Sequence, residues 1–280
     1  MKKYKPYTAS RRHMSVVEYG SLSKDKPMKS ALKKIHKKAG RNNLGRITTR
    51  HKGGGVKRRY RDIDFKRDKH GVEGRIEGLE YDPYRSAFIM KVVYLDGERR
   101  YHLAHAGAKV AEKIVSGPEA PLKEGNRMPL LKVPVGYEIH DLELKPGGGG
   151  KIIRSAGSSA QVLSHDGKYS QIKLPSTEVR KVISTSYGTV GQVSNPDHGL
   201  TVIGKAGRKR KMGVRPTVRG TAMNAVDHPF GGGEGRQPMG RKRPKDVYGN
   251  VIKGPKTRKK KKWSTKLIVK RRAKRKRGKK

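Results

Sequence analysis

Charge is spread so unevenly along these 280 residues that only the middle of the chain is suited to an ordinary globular core. Lys and Arg outnumber Asp and Glu by 23 to 5 in residues 1–70, by 17 to 15 in 71–200 and by 29 to 3 in 201–280. The differences of +18, +2 and +26 add to the net charge of +46. A compact state with that charge repels itself. We therefore expect a folded body with two basic arms, and a polyanion as the partner.

Several kinds of site are disfavoured by the residues themselves. The N-terminus MKKYKPYTASRRH has no apolar signal segment, and no apolar run approaches the roughly 18 residues that span a membrane, so we expect an intracellular protein with no membrane partner. Cysteine is absent, which excludes disulfides and thiolate metal sites. His102 and His105 are the closest two histidines, but no HExxH pattern and no GxxxxGK[ST] loop occurs. We expect no metal and no cofactor.

The middle of the chain has the pattern of short β-strands. From Ile63 onward apolar residues alternate with polar ones, which is typical of half-buried strands. Asp96-Gly97 separates the runs Ala87–Leu95 and Glu98–Leu103, and this arrangement predicts a tight hairpin.

A second group of strands follows. Asp166-Gly167 divides residues 160–174 in the same way, and a third strand pair is predicted on either side of 175–177. The segment Gly117–Pro134 holds four prolines and little periodicity, so we interpret it as a link between two small barrels of about 60 residues each. The predicted fold class is mainly β.

The flanks carry few signals of regular structure. Within residues 1–40 only Met28–Lys38 has helical spacing, and we interpret the rest as an arm that lies along a surface. The tail beyond Leu200 is cationic. Its Trp263 either packs locally with the run Leu267–Val269 or stacks on a nucleobase.

A glycine-rich segment, Gly40–Arg67, alternates Arg and Lys with Gly and amide side chains around Gly53-Gly54-Gly55. Successive backbone N–H groups in such a loop can form an anion-binding concavity, and glycine lets the backbone approach a phosphate closely. A flexible, solvated loop is the alternative.

The stretch Val214–Arg243 contains four closely spaced glycines and the triplet Asp227-His228-Pro229, with almost no apolar run. A partner must order such a segment, because burial does not offset its conformational entropy. Asp227 and His228 suit either acid–base chemistry or a local turn, in which Asp227 binds backbone amides and His228 binds a phosphate or a 2′-hydroxyl. The turn is favoured, because adjacent residues rarely point at one another.

Two arginines of the nearly neutral body are expected to project from barrel loops. Arg85 follows the turn Tyr81–Tyr84, and Arg154 precedes the small-residue loop Ser155–Ala160. Arginine forks bind phosphates and the 12 interleaved tyrosines can stack on bases, so RNA is a suitable partner. An ordinary solvated arginine is the alternative at each position. A protein that condenses any nucleic acid is a further reading, but the low-complexity repeats expected of it are absent.

Five blocks of the sequence resemble one family. They are AGRNNLGRITTRHKGGGVKRRYRDIDFKRD, LEYDPYRSA, LELKPGGGGKIIRSAGSSAQVL, GKAGRKRKMGVRPTVRG and MNAVDHPFGGGEGRQPMGR, and they follow the family's order over most of the chain. On these residues the chain resembles the L-two family of large-subunit ribosomal proteins, bacterial type.

The resemblance implies a fold and a domain division. It implies a basic N-terminal extension (1–69), an OB-fold-type RNA-binding barrel (70–128), an SH3-like barrel (129–200) and a basic, Gly-rich C-terminal extension (201–280). It also implies a place on the ribosome, in the bacterial cytoplasm or, as the alternative, in an organelle.

The resemblance further implies a structural role on 23S-type rRNA near the peptidyl transferase centre. The implied roles are assembly, subunit association and tRNA placement, with large-subunit rRNA, neighbouring ribosomal proteins, the small subunit and tRNA as partners. Chemistry in this family belongs to the RNA, so no enzymatic activity is expected. The alternative is direct acid–base participation of His228 in peptidyl transfer.

The residues expected to contact rRNA lie in these blocks and are mostly basic residues and glycines. They are Arg46, Arg50, His51, Lys52, Gly53, Gly54, Gly55, Arg58, Arg59, Arg85, Arg154, Arg215, Arg219, Asn224, Asp227, His228, Gly231, Gly232, Gly233, Arg236 and Arg241. Two positions depart from the family, which usually has Pro at Ala225 and a second His at Phe230. A role that needs both histidines is not expected here.

Overall fold

The computed structural model describes residues 1–235, 240, 242–254, 256–259 and 261–272. Within them the chain forms two compact units. The first comprises Met1–His36, Lys57–Lys205 and the described residues from Lys266 onward. The second comprises Lys37–Val56 and the described residues of Ala206–Thr265.

Short strands dominate the described residues, with two α-helices, α1 (Ala9–Arg12) and α2 (Ala206–Lys211). The strands are β1 (Lys2–Lys3), β2 (Ser15–Val16), β3 (Leu32–Lys33), β4 (Tyr60–Arg61), β5 (Glu73–Glu80), β6 (Ile89–Tyr94), β7 (Arg99–Leu103), β8 (Lys113–Val115), β9 (Arg127–Pro129), β10 (Glu138–His140), β11 (Ala160–Asp166), β12 (Tyr169–Lys173), β13 (Val179–Ile183), β14 (Tyr187–Val190) and β15 (Ile268–Lys270). No described helix is long and apolar enough to cross a membrane.

The first sheet is antiparallel, in the order β7-β6-β5-β8. The hairpin predicted at Asp96-Gly97 is confirmed: the Tyr94 N–H donates to the Glu98 carbonyl at 2.9 Å, and Gly97 takes a φ of 81° that suits glycine. Ile76, Met90 and Val92 are fully buried on one face of this sheet. Each such burial contributes about 1.5–3 kcal/mol, so the alternating pattern fixes the strand register.

The second sheet is also antiparallel, in the order β15-β13-β12-β11-β10-β14-β9. The hairpin predicted at Asp166-Gly167 is confirmed as β11 and β12, and the third predicted strand pair is confirmed as β12 and β13. Leu130, Ile139 and Val162 are fully buried in its core.

The two sheets meet within the first unit. The Ser194 N–H donates to the Ala104 carbonyl at 3.0 Å and the Ala106 N–H to the Gln192 carbonyl at 2.8 Å. Ala87, Leu103 and Val193 form a small buried cluster at this seam. The seam therefore joins the sheets through both backbone pairing and apolar packing.

One local prediction was wrong and a second was incomplete. The segment Met28–Lys38 is not one helix: a single 3₁₀ turn at Lys29–Ala31 leads into β3, because Ala31 packs on the core with Ile63 and Tyr101 while β3 pairs with β4. The supposed link Gly117–Pro134 is not merely a connection, since it contributes β9, which pairs with β14. Prolines obscured that strand, whose Pro129 ends it.

The C-terminal tail contributes an element that its basic composition did not predict. Ile268–Lys270 form β15, and the Lys181 N–H donates to the Leu267 carbonyl at 2.8 Å. The local packing considered for Leu267–Val269 thus occurs as strand pairing on β13. Trp263 is 62% exposed.

Candidate nucleic-acid interface

A phenylalanine in the first unit brings two predicted arginines together. The Arg85 guanidinium carbon lies 5.0 Å from the centre of the Phe65 ring, and that of Arg154 lies 4.3 Å from it. Both distances are within the range of cation–π attraction. Arg85 and Arg154 therefore do not project separately from two barrels; they flank one aromatic ring.

The turn before Arg85 is held by the buried carboxylate of Asp82. This carboxylate accepts the Tyr84 N–H at 2.8 Å, and its other oxygen lies 3.1 Å from Arg85 Nε. Arg85 also donates to the Tyr60 hydroxyl at 3.1 Å. The Arg85 side chain is only 17% exposed, so its guanidinium is fixed rather than mobile in solvent.

A second arginine, Arg58, contacts this turn. Arg58 donates to the Pro83 carbonyl at 2.6 Å, and its guanidinium carbon lies 4.8 Å from the Tyr84 ring centre. Tyr84 meets Tyr60 edge-on at 5.6 Å between centroids. The arrangement interleaves guanidinium groups with rings, as RNA recognition by charge and stacking requires.

The position of Arg154 depends on a buried network in the second sheet. Arg127 is fully buried and lies 3.1 Å from carboxylate oxygens of both Asp141 and Glu143. Glu143 accepts the Gly149 N–H at 3.1 Å, which fixes the loop that carries Gly150. The Gly150 N–H then donates to the Phe65 carbonyl at 2.9 Å, while its carbonyl accepts Arg154 at 3.1 Å. One chain of contacts thus links the core to the Phe65 ring and to Arg154.

The seam also buries ionisable side chains that do not reach the surface. Arg67 is 2% exposed and donates to the Gly125 carbonyl at 2.9 Å, and burial lowers its pKa. Burial lowers the pKa of His140 to about 3 and that of His102 well below its ordinary value. These histidines are neutral core residues at physiological pH. No group of three or more His, Asp or Glu suited to a metal ion occurs among the described residues.

The second unit is built around the triple glycine. The Gly53 N–H donates to the Gly213 carbonyl and the Val56 N–H to the Lys211 carbonyl, both at 2.9 Å. A Cβ added to Gly55 would lie 2.9 Å from Gly213 Cα, closer than real Cβ contacts. The absence of a side chain at Gly55 therefore lets a second stretch of backbone lie alongside this loop. Two of the N–H groups predicted to bind an anion, those of Gly53 and Val56, already donate to backbone carbonyls.

Two cationic side chains, Lys37 and Arg210, donate hydrogen bonds to backbone carbonyls of this loop. The Lys37 ammonium donates to the carbonyls of Gly55, at 2.8 Å, and of Val56. Arg210 donates weakly to the Gly53 carbonyl at 3.4 Å. By sequence the unit holds 24 Lys and Arg against 3 Asp and Glu, so its net charge is +21 over 80 residues. A strongly positive surface of this kind attracts a polyanion.

The Asp227-His228 loop is a compact turn. The Asn224 carbonyl accepts the N–H groups of Asp227, at 3.0 Å, and of His228, at 3.3 Å, and the Gly231 N–H donates to the His228 carbonyl at 2.8 Å. The His228 ring lies against Gly220, where a Cβ would approach it to 2.4 Å. Sequence reasoning identified the turn correctly, although in this structure backbone groups rather than the Asp227 side chain account for these bonds.

One hydrogen bond sets the tautomer of the neutral His228 ring. The Phe230 N–H donates to His228 Nδ1 at 3.1 Å, so the neutral ring carries its proton on Nε2. The Phe230 ring is tilted against it at 5.0 Å between centroids. Nε2 is therefore a hydrogen-bond donor, which suits a phosphate or 2′-hydroxyl oxygen.

The remaining predicted contacts fall into three groups. In the second unit Arg46, Arg50, Lys52, Arg215 and Arg219 are exposed, and within the described part of the chain none has an ion pair with a carboxylate. His51 accepts the Arg215 N–H at its carbonyl at 3.0 Å, while Gly231 and Gly232 close the His228 loop and Gly54 and Gly233 are exposed. In the first unit Arg59 is exposed. Arg236 and Arg241 lie outside the described residues.

Sequence reasoning missed three aromatic residues of the first unit: Phe65, Tyr60 and Tyr84. The available signal was their spacing among basic residues on either side of Arg58 and Arg85. Nothing in that spacing indicates that one ring contacts two arginines 69 positions apart.

Two family models match the chain. Ribosomal Proteins L2, RNA binding N-terminal domain, matches residues 28–116, and Ribosomal Proteins L2, C-terminal domain, matches residues 123–249. The matches cover 89 and 127 residues, or 216 of 280. The first contains the β7-β6-β5-β8 sheet and Arg85, and the second contains β9 to β14, Arg154 and His228.

These matches confirm the predicted fold class, a mainly β chain with an OB-like domain followed by an SH3-like domain. The first domain is described as RNA-binding, and its matched residues include Phe65 and Arg85. The chain therefore belongs to the L2 family of ribosomal proteins, whose members are structural, rRNA-binding components of the large ribosomal subunit.

Proposed function

We propose that this protein binds large-subunit rRNA near the peptidyl transferase centre and there supports assembly, subunit association and tRNA placement. Neighbouring ribosomal proteins, the small subunit and tRNA are then its further partners, and the bacterial cytoplasm is its location. We also propose the division into residues 1–69, 70–128, 129–200 and 201–280 as its functional domains.

The observation that carries the proposal is the convergence of Arg85 and Arg154 on Phe65. The two guanidinium groups come from different domains, so a single RNA segment can contact both domains at once. Their fixed geometry lowers the conformational entropy lost on binding. The exposed cations of the second unit supply a further, charge-dominated contact with phosphates.

Catalysis by His228 is not needed in this proposal. The ring accepts a backbone N–H on Nδ1, and no hydrogen bond joins it to the Asp227 carboxylate within the described residues. General-base catalysis in a histidine–carboxylate pair depends on that bond. His228 thus acts as an organiser that donates Nε2–H to RNA.

Co-sedimentation tests the location. The protein is expected to remain with large subunits through a high-salt wash, and recovery only in the free fraction would refute the proposal. Purified subunits carrying His228→Gln are expected to show defects in assembly or tRNA placement. Normal assembly with loss of the peptide-transfer step, measured with pre-bound substrates, would instead assign a catalytic role to His228.

Binding measurements test the two arginines. Arg85→Ala and Arg154→Ala are each expected to weaken binding to large-subunit rRNA by about 1–3 kcal/mol, the cost of a lost charge-assisted contact. Arg99→Ala is the matched control, since Arg99 is 52% exposed and already pairs with Glu77 at 3.1 Å. Equal affinities for all three variants would remove Arg85 and Arg154 from the interface.

A further inference from the structure

The second unit contains a small hairpin that presents one bare aromatic ring. The Tyr248 loop, residues 244–252, is closed by an antiparallel bridge between Lys245 and Val251 and by the Ile252 N–H, which donates to the Pro244 carbonyl at 3.0 Å. At its tip the Tyr248 side chain is 77% exposed. Among the described residues it has no aromatic or cationic partner for its ring.

The loop is supported by one carboxylate. Asp246 Oδ1 accepts the N–H groups of Tyr248, at 2.9 Å, and of Asn250, at 2.8 Å. The Asp246 N–H donates to the Asn250 carbonyl at 2.9 Å, and the Gly249 N–H returns to the Asp246 carbonyl at 3.1 Å. Gly249 takes a φ of 82°, which a side chain would disfavour. Side-chain and backbone bonds thus fix the backbone on both sides of Tyr248 before any partner is bound.

The surroundings of the ring favour a nucleic acid over an apolar protein surface. Residues 241–253 contain five Lys or Arg and only one acidic residue, Asp246. That carboxylate faces the N–H groups of its own loop. A flat ring among cations offers stacking to a base while the neighbouring charges take phosphates, the combination used in sequence-tolerant single-strand recognition.

We infer that Tyr248 is a stacking site for an unpaired nucleobase of the RNA, held ready by the Asp246-capped loop. The ring supplies the apolar contact and the loop removes the entropy cost of ordering it. This inference rests on the proposed rRNA binding and adds a specific contact to it. The contact is local, so it involves one nucleotide in a loop, bulge or single-stranded segment.

A matched hairpin in the same chain serves as the control. Leu95 lies at the tip of the β6–β7 hairpin and is 81% exposed, but its neighbours Asp96 and Glu98 are acidic. Both carboxylates pair with Lys69, and Glu98 also pairs with Arg100. Leu95 is thus an exposed side chain at a hairpin tip where carboxylates already pair with the nearby cations Lys69 and Arg100.

Affinity of the full chain for in-vitro-transcribed large-subunit rRNA is the first measurement. Tyr248→Leu is expected to weaken binding about 5- to 150-fold, the loss associated with one stacked base. Tyr248→Phe keeps the ring and is expected to stay within about twofold of the unsubstituted protein. Unchanged affinity for Tyr248→Leu would overturn the inference, whereas failure of the unsubstituted protein to bind this RNA would overturn the proposed function itself.

The loop's part is tested separately. Asp246→Ala removes the cap without touching the ring, and combining it with Tyr248→Leu is expected to weaken binding no more than the worse single variant. Additive losses would contradict a role for Asp246 in holding Tyr248.

A fluorescence experiment locates the contact. In a Trp263→Phe background, a Tyr248→Trp reporter is expected to become shielded from acrylamide when rRNA binds, and a Leu95→Trp reporter is expected to stay accessible. Equal accessibility of the two reporters in the complex would refute stacking at Tyr248. A reporter shielded only in whole subunits, and not on naked rRNA, would assign the loop to a protein partner and also overturn the inference.

Discussion

Replacing Phe65 with Leu separates the two arginines that flank its ring. Leu retains apolar volume but has no π face, so the two cation–π contacts at 5.0 and 4.3 Å are lost. Contacts of this kind contribute about 0.5–2 kcal/mol each, depending on how far they are desolvated. Both contacts exist with and without RNA, so their loss weakens binding because each freed guanidinium must be ordered again. That ordering costs about 0.5–1.5 kcal/mol per side chain, so we expect a total loss of about 1–3 kcal/mol in rRNA binding.

The two arginines should not lose their fixed positions to the same extent. Arg85 keeps its ion pair with Asp82 at 3.1 Å and its bond to the Tyr60 hydroxyl at 3.1 Å. Arg154 keeps only the Gly150 carbonyl at 3.1 Å among its described hydrogen bonds. Phe65→Leu is therefore expected to release Arg154 more than Arg85.

A double-mutant cycle measures this difference. Affinity for large-subunit rRNA is determined for Phe65→Leu, Arg85→Ala, Arg154→Ala and the two doubles, with Phe65→Tyr as the control that keeps a ring. The coupling energy of Phe65 with Arg154 is expected to exceed that with Arg85, and both to exceed about 0.5 kcal/mol. Additive losses in both cycles would show that the ring does not position either arginine.

Three further predictions concern the fold that supports the interface. Gly55→Ala places a Cβ 2.9 Å from Gly213 Cα, so amide exchange at Gly53 and Arg215 should accelerate about fivefold or more, the effect of roughly 1–3 kcal/mol of overpacking. Gly20→Ala, with open space around it, should change neither rate, and unchanged exchange in both variants would contradict the steric argument. Arg127→Met leaves Asp141 and Glu143 buried without their cation and should lower the free energy of unfolding, measured in urea, by about 3–5 kcal/mol. The control Arg99→Ala removes an exposed ion pair and should lower it by about 0–1 kcal/mol. A loss below about 1 kcal/mol for Arg127→Met would refute the network. Burial lowers the folded-state pKa of His140 to about 3, below its unfolded value of about 6.5. Between those two values the unfolded state binds the extra proton, so this residue's contribution to stability falls by about 1.4 kcal/mol for each pH unit by which the pH is lowered. His140→Asn should therefore reduce the slope of the unfolding free energy against pH in this range, and equal slopes would count against a neutral, buried His140.

The strands that sequence periodicity predicted correctly are those with local turn signals. Asp96-Gly97 and Asp166-Gly167 each sit between runs whose alternation buries one face, so turn chemistry and burial agree. β9 and β15 escaped prediction because each has three residues and pairs only with a strand distant in sequence. A three-residue strand does not establish a period.

The candidate site divides in the same way. Composition and spacing predict Arg85, Arg154 and the His228 turn as candidates, since charge and turn residues are properties of the local sequence. The partners of those residues were not predictable, because Phe65 meets Arg154 across 89 positions and the Gly53–Gly55 loop pairs with residues near 213. The sequence predicts room for a phosphate at these glycines, yet the group next to Gly55 is another stretch of backbone, at Gly213.

By itself the sequence determined that this chain is a mainly β body with basic flanks that needs a polyanion. Alternation, turn residues and net charge can each be read from the sequence without knowing which distant residues meet in the fold. Only the tertiary structure decided that Arg85 and Arg154 share one ring and that Arg127, through Glu143 and Gly149, holds the loop beside them. These contacts join residues far apart in sequence, and their energy exists only when both sheets are folded. The physical reason is that cation–π and buried ion-pair interactions depend on distances of a few ångströms, which sequence spacing does not specify.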